Sequence, residues 1–173
     1  ATRKWHSFPG EAMLVDISKG KSVRAFNGSV VASSLGRAPY VWHLTSVRNL
    51  RTILTHSLLS HQQVREHGLL QHDISDSDVQ ALRATTSAFD VPLHQFVPTF
   101  WVQRNPMMFA VKQHAEQLVW LQIARHKIPA ESCVTATQNA ATRCAKFFLG
   151  QHPEHLNWDV LNAPYWNEMP RGR

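Results

Sequence analysis

Cysteine, acid and long apolar runs are scarce in this 173-residue chain. The only thiols are Cys133 and Cys144. Lying 11 positions apart, with no C-x-x-C pair, they cannot build a disulfide framework and do not read as a zinc site. No segment approaches the roughly 18 to 20 apolar residues of a membrane helix, and the N-terminal residues lack the apolar core of a signal peptide. A reduced, cytoplasmic protein without membrane attachment is expected. The chain opens on Ala1, which points to processing or to a start inside a longer chain. Neither a Walker pattern nor G-x-G-x-x-G occurs, so any nucleotide must be held in another way.

What is present is a globular composition, 43% hydrophobic and 17% charged, in a length that suits one domain with a well-buried core. Lys and Arg number 18 against 12 Asp and Glu, a formal charge of +6, and 11 His add positive charge at mildly acidic pH. Such a balance fits a polyanionic partner such as nucleic acid. It equally fits an ordinary soluble basic protein.

Short β-favouring runs alternate with turn signals from residue 11 to 34: Met13 to Ile17, Ser22 to Phe26, then Asn27-Gly28 as a hairpin turn before Ser29 to Val31. Tyr40 to Leu44 reads as a strand, after which Thr45 or Ser46 caps a helix carrying Val47, Leu50, Ile53 and Leu54. Residues 60 to 78 have no clear period and read as a long loop, functional or mobile. Asp76 or Ser77 caps a short helix through Val79, Leu82 and Arg83, closed by Pro92. Extended runs follow at Phe96 to Val102 and Leu118 to Ile123, separated by a compact segment that starts at Pro106. Helical patterns return at Ala140 to Leu149 and Leu156 to Leu161. The whole reads as α+β, with strands too short and dispersed for a doubly wound parallel sheet.

The histidines at 56, 61, 67 and 72 do not share a helical face, and His152 with His155 reads as a solvated pair, so no metal is expected. Trp101, Trp120, Phe100 and Phe109 are expected in the core, whereas Trp42, Trp158 and Trp166 could offer rings for base stacking. His43 and Thr45 share one side of a strand by its period of two. They could read a ribose or an amide; a hydrogen-bonded histidine at a strand end is the plainer alternative. Arg83 alone would pass for a surface charge.

These residues fall into an ordered set. Val41 to Leu54, read as Val41-Trp42-His43-Leu44-Thr45-Ser46-Val47-Arg48-Asn49-Leu50-Arg51-Thr52-Ile53-Leu54, resembles the H-[IFL]-T-x-x-x-N-L-x-x-I-[LI] opening of the DarT family, toxins of the DarT–DarG toxin–antitoxin systems. Phe96-Val97-Pro98-Thr99-Phe100-Trp101-Val102-Gln103-Arg104-Asn105-Pro106-Met107-Met108-Phe109 is similar to that family's YVPFYF-x-x-R-S-P-M-L-Y block. Asn139 to Ala141, Lys146 to Phe148, Leu156 to Asp159 and Tyr165-Trp166 match later segments in order.

The resemblance implies an ADP-ribosyltransferase-like fold, a central split antiparallel sheet with flanking helices. It implies NAD+ as substrate, no metal, and transfer of ADP-ribose to a base of single-stranded DNA, commonly thymine. By the same resemblance His43, Thr45, Asn49 and Arg83 bind NAD+, Arg83 is also catalytic, and the loop from His61 to Ser77 covers the dinucleotide. Arg104 and Met107 stand on the substrate side. A monomer with a DarG-like macrodomain antitoxin is the expected partnership.

The family's catalytic glutamate belongs to a later R-x-A-E-[FI]-L-V strand, and Glu168 falls too early to be it. Three explanations stay open: a truncated C-terminal part, an inactive relative that only binds NAD+ or nucleic acid, or a circular permutation. In the last, Pro9-Gly10-Glu11-Ala12-Met13-Leu14-Val15 resembles the acid strand and Glu11 is the catalytic acid. Residues 1–39 are read as N-terminal strands or an extension, in the permuted case the acid strand and closing hairpin, and residues 40–173 as the ADP-ribosyltransferase-like NAD-binding core. An enzyme acting on RNA or protein is the remaining alternative.

Overall fold

The computed structural model describes residues 12–16, 38–69 and 71–163, with the backbone alone for 12–16. Glu11, Trp166 and the Asn27-Gly28 turn lie outside the described residues. The fold is α+β. Its six-stranded sheet has the order β6-β2-β5-β1-β7-β8, every ladder antiparallel, and a two-stranded hairpin, β3-β4, stands apart. The strands are β1 (Ala12–Asp16), β2 (Tyr40–Ser46), β3 (Ser87–Ala88), β4 (Val91–Pro92), β5 (Phe96–Phe100), β6 (Leu118–Ala124), β7 (Cys133–Ala136) and β8 (Phe147–Leu149). Five α-helices lie among the described residues: α1 (Leu50–His56), α2 (His61–Glu66), α3 (Ser77–Thr85), α4 (Pro106–Ala110) and α5 (Trp158–Leu161).

Both faces of the sheet are covered. Successive side chains of a strand point to opposite faces, and β7 shows the result. Cys133 packs with Val41, Trp101, Ile128 and Leu161, while Val134 and Ala136 pack with Ala88, Leu93, Phe96 and Ala140. Arg125 stacks 4.9 Å over the Trp101 ring, and Trp158 meets the same ring edge-on.

Between β2 and β5 the sheet nearly parts. β2 pairs with β6 along its whole length, yet it meets β5 at the single pair Trp42 and Phe100. Pro98, in the middle of β5, has no N–H to give to a ladder. Its carbonyl instead accepts from the His43 ring, Nδ1 to O 2.8 Å. β1 closes the other side of β5, with Met13 opposite Thr99 and Leu14 opposite Pro98.

Three expectations fail for local reasons. Residues 60 to 78 are not one loop: Ser60 accepts from the Gln63 N–H while the Gln63 side chain accepts from the Ser60 N–H, a capping box that starts α2. Ala140 to Leu149 is not a helix. Asn139 Oδ1 takes the Ala141 N–H, Thr142 Oγ1 bonds Asn139 O, and Phe147–Leu149 pair with β7, so side-chain turns and sheet pairing override helix propensity. Phe109 is not core but 62% exposed, with Lys112 Nζ 4.1 Å over its ring. Pro106, Met107, Met108 and Ala110 are the half-buried residues of this helix, and Phe109 alone is turned out to solvent. Among the described residues, no helix is long and apolar enough to cross a membrane.

Candidate functional site

Beside β2 lies a small cleft of about 30 Å³, lined by His43, Thr45, Asn49, Ile53, Val64 and Gln71 among others. His43 is set by the sheet. Because a carbonyl can only accept, the bond to Pro98 O places the ring proton on Nδ1. Burial lowers the histidine's proton affinity below its usual value, against the opposing pull of that bond. The ring is therefore neutral at pH 7 and Nε2 is left as an acceptor.

Thr45 and Asn49 are both buried. Asn49 Nδ2 donates to Thr45 Oγ1 and to His72 O, each at 3.0 Å, and Asn49 Oδ1 accepts from His72 N at 2.7 Å. The side-chain amide thus acts as one rung of a ladder, clamping the loop after α2 onto β2. With both its donors used, Asn49 has only an oxygen lone pair to offer a ligand.

Next along that loop, Asp73 attracts Arg83. Asp76 accepts from the Asp78 N–H and begins α3, whose single buried residue is Arg83. Arg83 is 8% exposed, and its Nη2 donates to Leu93 O at 2.8 Å. Burial brings its pKa down to about 10, with Asp73 partly opposing, so the guanidinium remains charged at neutral pH. Among the described residues one guanidinium donor is used, leaving four N–H groups for an anion or a developing charge. Arg83 is thus not the surface charge it would pass for alone: α3 is held against the turn before β5, and that contact encloses the side chain.

Arg104 and Met107 follow the other end of β5. Arg104 is exposed, and Met107 is half-buried in α4. Asn105, itself buried, starts that helix: its Oδ1 accepts from Met108 N, and its Nδ2 donates to Val102 O and Gln103 O. The structure therefore unites His43, Thr45 and Asn49 in one cleft and ties Arg83 to it through the loop at 72–73. Arg104 and Met107 stand at the opposite end of the strand that joins them to it.

Sequence reading missed His61, Gln80 and His94 around Arg83. The rings of His61 and His94 stack with centroids 4.7 Å apart, and His94 Nε2 bonds Gln80 Oε1. Ser60-x-x-Gln63 was the available signal, since a helix starting there presents His61 and Arg65 together. Elsewhere, His152, Glu154 and His155 bring one donor atom each within 4.8 Å of one another on the turn after β8. His152 Nδ1 is hydrogen-bonded to Glu154 Oε1 at 2.7 Å, and His155 stacks on Phe148. Cys133 is buried, and its pKa is pushed up to about 12, which removes it as a nucleophile.

Fold and cleft together define an α+β protein with a neutral histidine at a parting of its sheet and a buried cation beside the loop that Asn49 holds. Residues 42–172 match the family model described as ssDNA thymidine ADP-ribosyltransferase, DarT, and the chain belongs to that family. A DNA ADP-ribosyl transferase of Thermus sp. (strain 2.9) is 26% identical over 147 residues, 77% of this chain and 69% of that protein. One from Thermus aquaticus (strain ATCC BAA-2747 / Y51MC23) is 27% identical over 145 residues, 73% of this chain and 62% of that protein. No solved structure matches.

Proposed function

We propose that the chain is an NAD+-dependent transferase with an ADP-ribosyltransferase-like fold that places ADP-ribose on a thymine of single-stranded DNA in a toxin-like role. The observation that carries this reading is Arg83, buried and charged, anchored on Leu93 O and joined by the 72–73 loop to the cleft of His43. His43 and Thr45 anchor the dinucleotide, and Asn49 holds the covering loop.

Transfer breaks the bond between the ribose C1′ and nicotinamide, which leaves with the bonding pair, and forms a bond from C1′ to a ring nitrogen of the base, which gives up its proton. Positive charge builds on the ribose between the two events, so a carboxylate nearby stabilises it. Arg83 supplies fixed positive charge for the electron-rich groups around the reacting centre. Arg104 and Met107 face the DNA. A single-stranded target presents its base without the cost of unpairing, and the net +6 favours the phosphate backbone.

For the carboxylate we propose Glu11. Its chain neighbour Ala12 begins β1, the backbone of Ala12 pairs with Phe100, and Phe100 is the β5 residue that meets Trp42, next to His43. A strand upstream of the family-matched region thus runs in the middle of the sheet, which is what a circular permutation of the acid strand requires.

Incubation with NAD+ and single-stranded oligonucleotides should add one ADP-ribose to thymine-containing strands, read by intact mass. Arg83→Ala and Glu11→Gln should each abolish the gain while the fold is kept. A gain that survives Glu11→Gln removes Glu11 from the mechanism. No gain on any strand, with salt-sensitive DNA binding retained, assigns the chain to nucleic-acid binding alone.

A further inference from the structure

His61 and His94 reach each other from different elements, the first turn of α2 and the 3-10 turn Leu93–Gln95. Both rings are half-buried, so solvent and ligands have access to them. Gln80 on α3 orients the pair. Its Nε2 donates to Ser75 Oγ, which turns Oε1 toward His94. His94 Nε2–H therefore donates, and Nδ1 is the position left to take up a proton.

The charges around the two rings are unequal. Arg65 from α2 and Arg83 from α3 act on both rings, and His61 acts on His94. On the other side stands Asp73 from the loop, which acts on His61 and on Arg83. Burial, assisted by the two arginines, lowers the proton affinity of both histidines below the usual value. Two stacked rings, with Arg65 one helical turn from His61 and Arg83 bonded to the carbonyl of Leu93 beside His94, are thus kept neutral at a place where an anion would reverse the balance.

We propose that His61, His94, Arg65 and Arg83 form a proton-coupled anion site that takes a phosphate or diphosphate group. It rests on the reading of a phosphate-bearing substrate above and names the place where that phosphate is held. The anion neutralises the arginines and draws a proton onto the histidine pair. Phosphate reaches the protein from two sources, the diphosphate of the dinucleotide and the backbone of the strand.

Calorimetric titration of the whole chain with inorganic pyrophosphate, ADP-ribose and oligothymidylate, from about pH 6 to about pH 8 in buffers of different ionisation heat, tests this. The expected result is net proton uptake and affinity falling by up to about tenfold per pH unit for one coupled proton. Linkage with ADP-ribose alone assigns the site to the dinucleotide, and linkage with oligothymidylate alone assigns it to the strand. His61→Gln and His94→Gln should flatten the pH dependence, whereas Arg65→Gln, at an exposed position, should weaken binding and keep proton uptake. Binding without proton uptake, or an unchanged pH dependence in both histidine variants, overturns the proposal. If transfer to DNA fails while the pyrophosphate linkage behaves as expected, the functional reading falls and the anion site stands. If transfer occurs without the linkage, the site alone falls.

Discussion

Replacing Asn49 by Ala removes three hydrogen bonds at once: to Thr45 Oγ1, to His72 O and from His72 N. Each contributes about 0.5 to 1.5 kcal/mol net. His72 is exposed, so its backbone groups recover water once the clamp opens, whereas Thr45, 3% exposed, does not. The sum therefore falls in the lower part of its range, about 2 to 3 kcal/mol. For a chain of this length that lowers the melting midpoint by about 4 to 12 °C. Asn49→Asp keeps the acceptor for His72 N but loses both donors, and its charge opposes His72 O; its loss should be comparable. Urea denaturation measures the change, and amide exchange locates it, with the His72 N–H losing protection before the β2–β6 amides. A loss below about 0.5 kcal/mol with His72 still protected would show that the loop is held by other contacts.

His43, His61 and His94 all have lowered proton affinity in the folded state. The unfolded chain then binds more protons near and below the usual histidine value, so stability is present above about pH 6.5 and is lost as pH falls. Denaturation midpoints measured downward from pH 7 should show that slope, and His43→Gln should reduce it; an unchanged slope removes His43 from the cause. The thiols should behave unequally. In native protein at about pH 8 a thiol reagent should modify exposed Cys144 and spare buried Cys133, with both reacting after denaturation. Rapid modification of native Cys133 would show that its site opens readily.

Strands with a local signature were legible. Tyr40 to Leu44 and Leu118 to Ile123 lie within observed strands, the run Phe96 to Val102 overshoots its strand by two residues, and the starts at Ser46 and Asp76 match observed caps. α2 carried an equally local signal in Ser60 and Gln63, two side chains that satisfy each other's backbone N–H groups. Ala140 to Leu149 misled because its residues favour a helix in isolation, while the partner that makes Phe147–Leu149 a strand is β7, more than ten positions earlier. The site divides in the same way. His43 and Thr45 occur on one strand, so their common side could be read directly, whereas Asn49 is pointed out by the family resemblance of the same short segment.

The tertiary structure decided how those residues behave. Pro98 by itself removes one N–H from β5; only the placement of β2 beside it turns that gap into a bond with His43 and leaves His43 Nε2 as an acceptor. Arg83 by itself is a cation on a short helix; only the turn at Leu93 and the loop at Asp73 bury it and keep it charged. A single sequence specifies alternation, caps and composition because these depend on neighbours within a few residues. Burial, the pairing of His61 with His94, and the insertion of β1 between β5 and β7 depend on groups far apart along the chain. Their energies exist only once the sheet has brought them together.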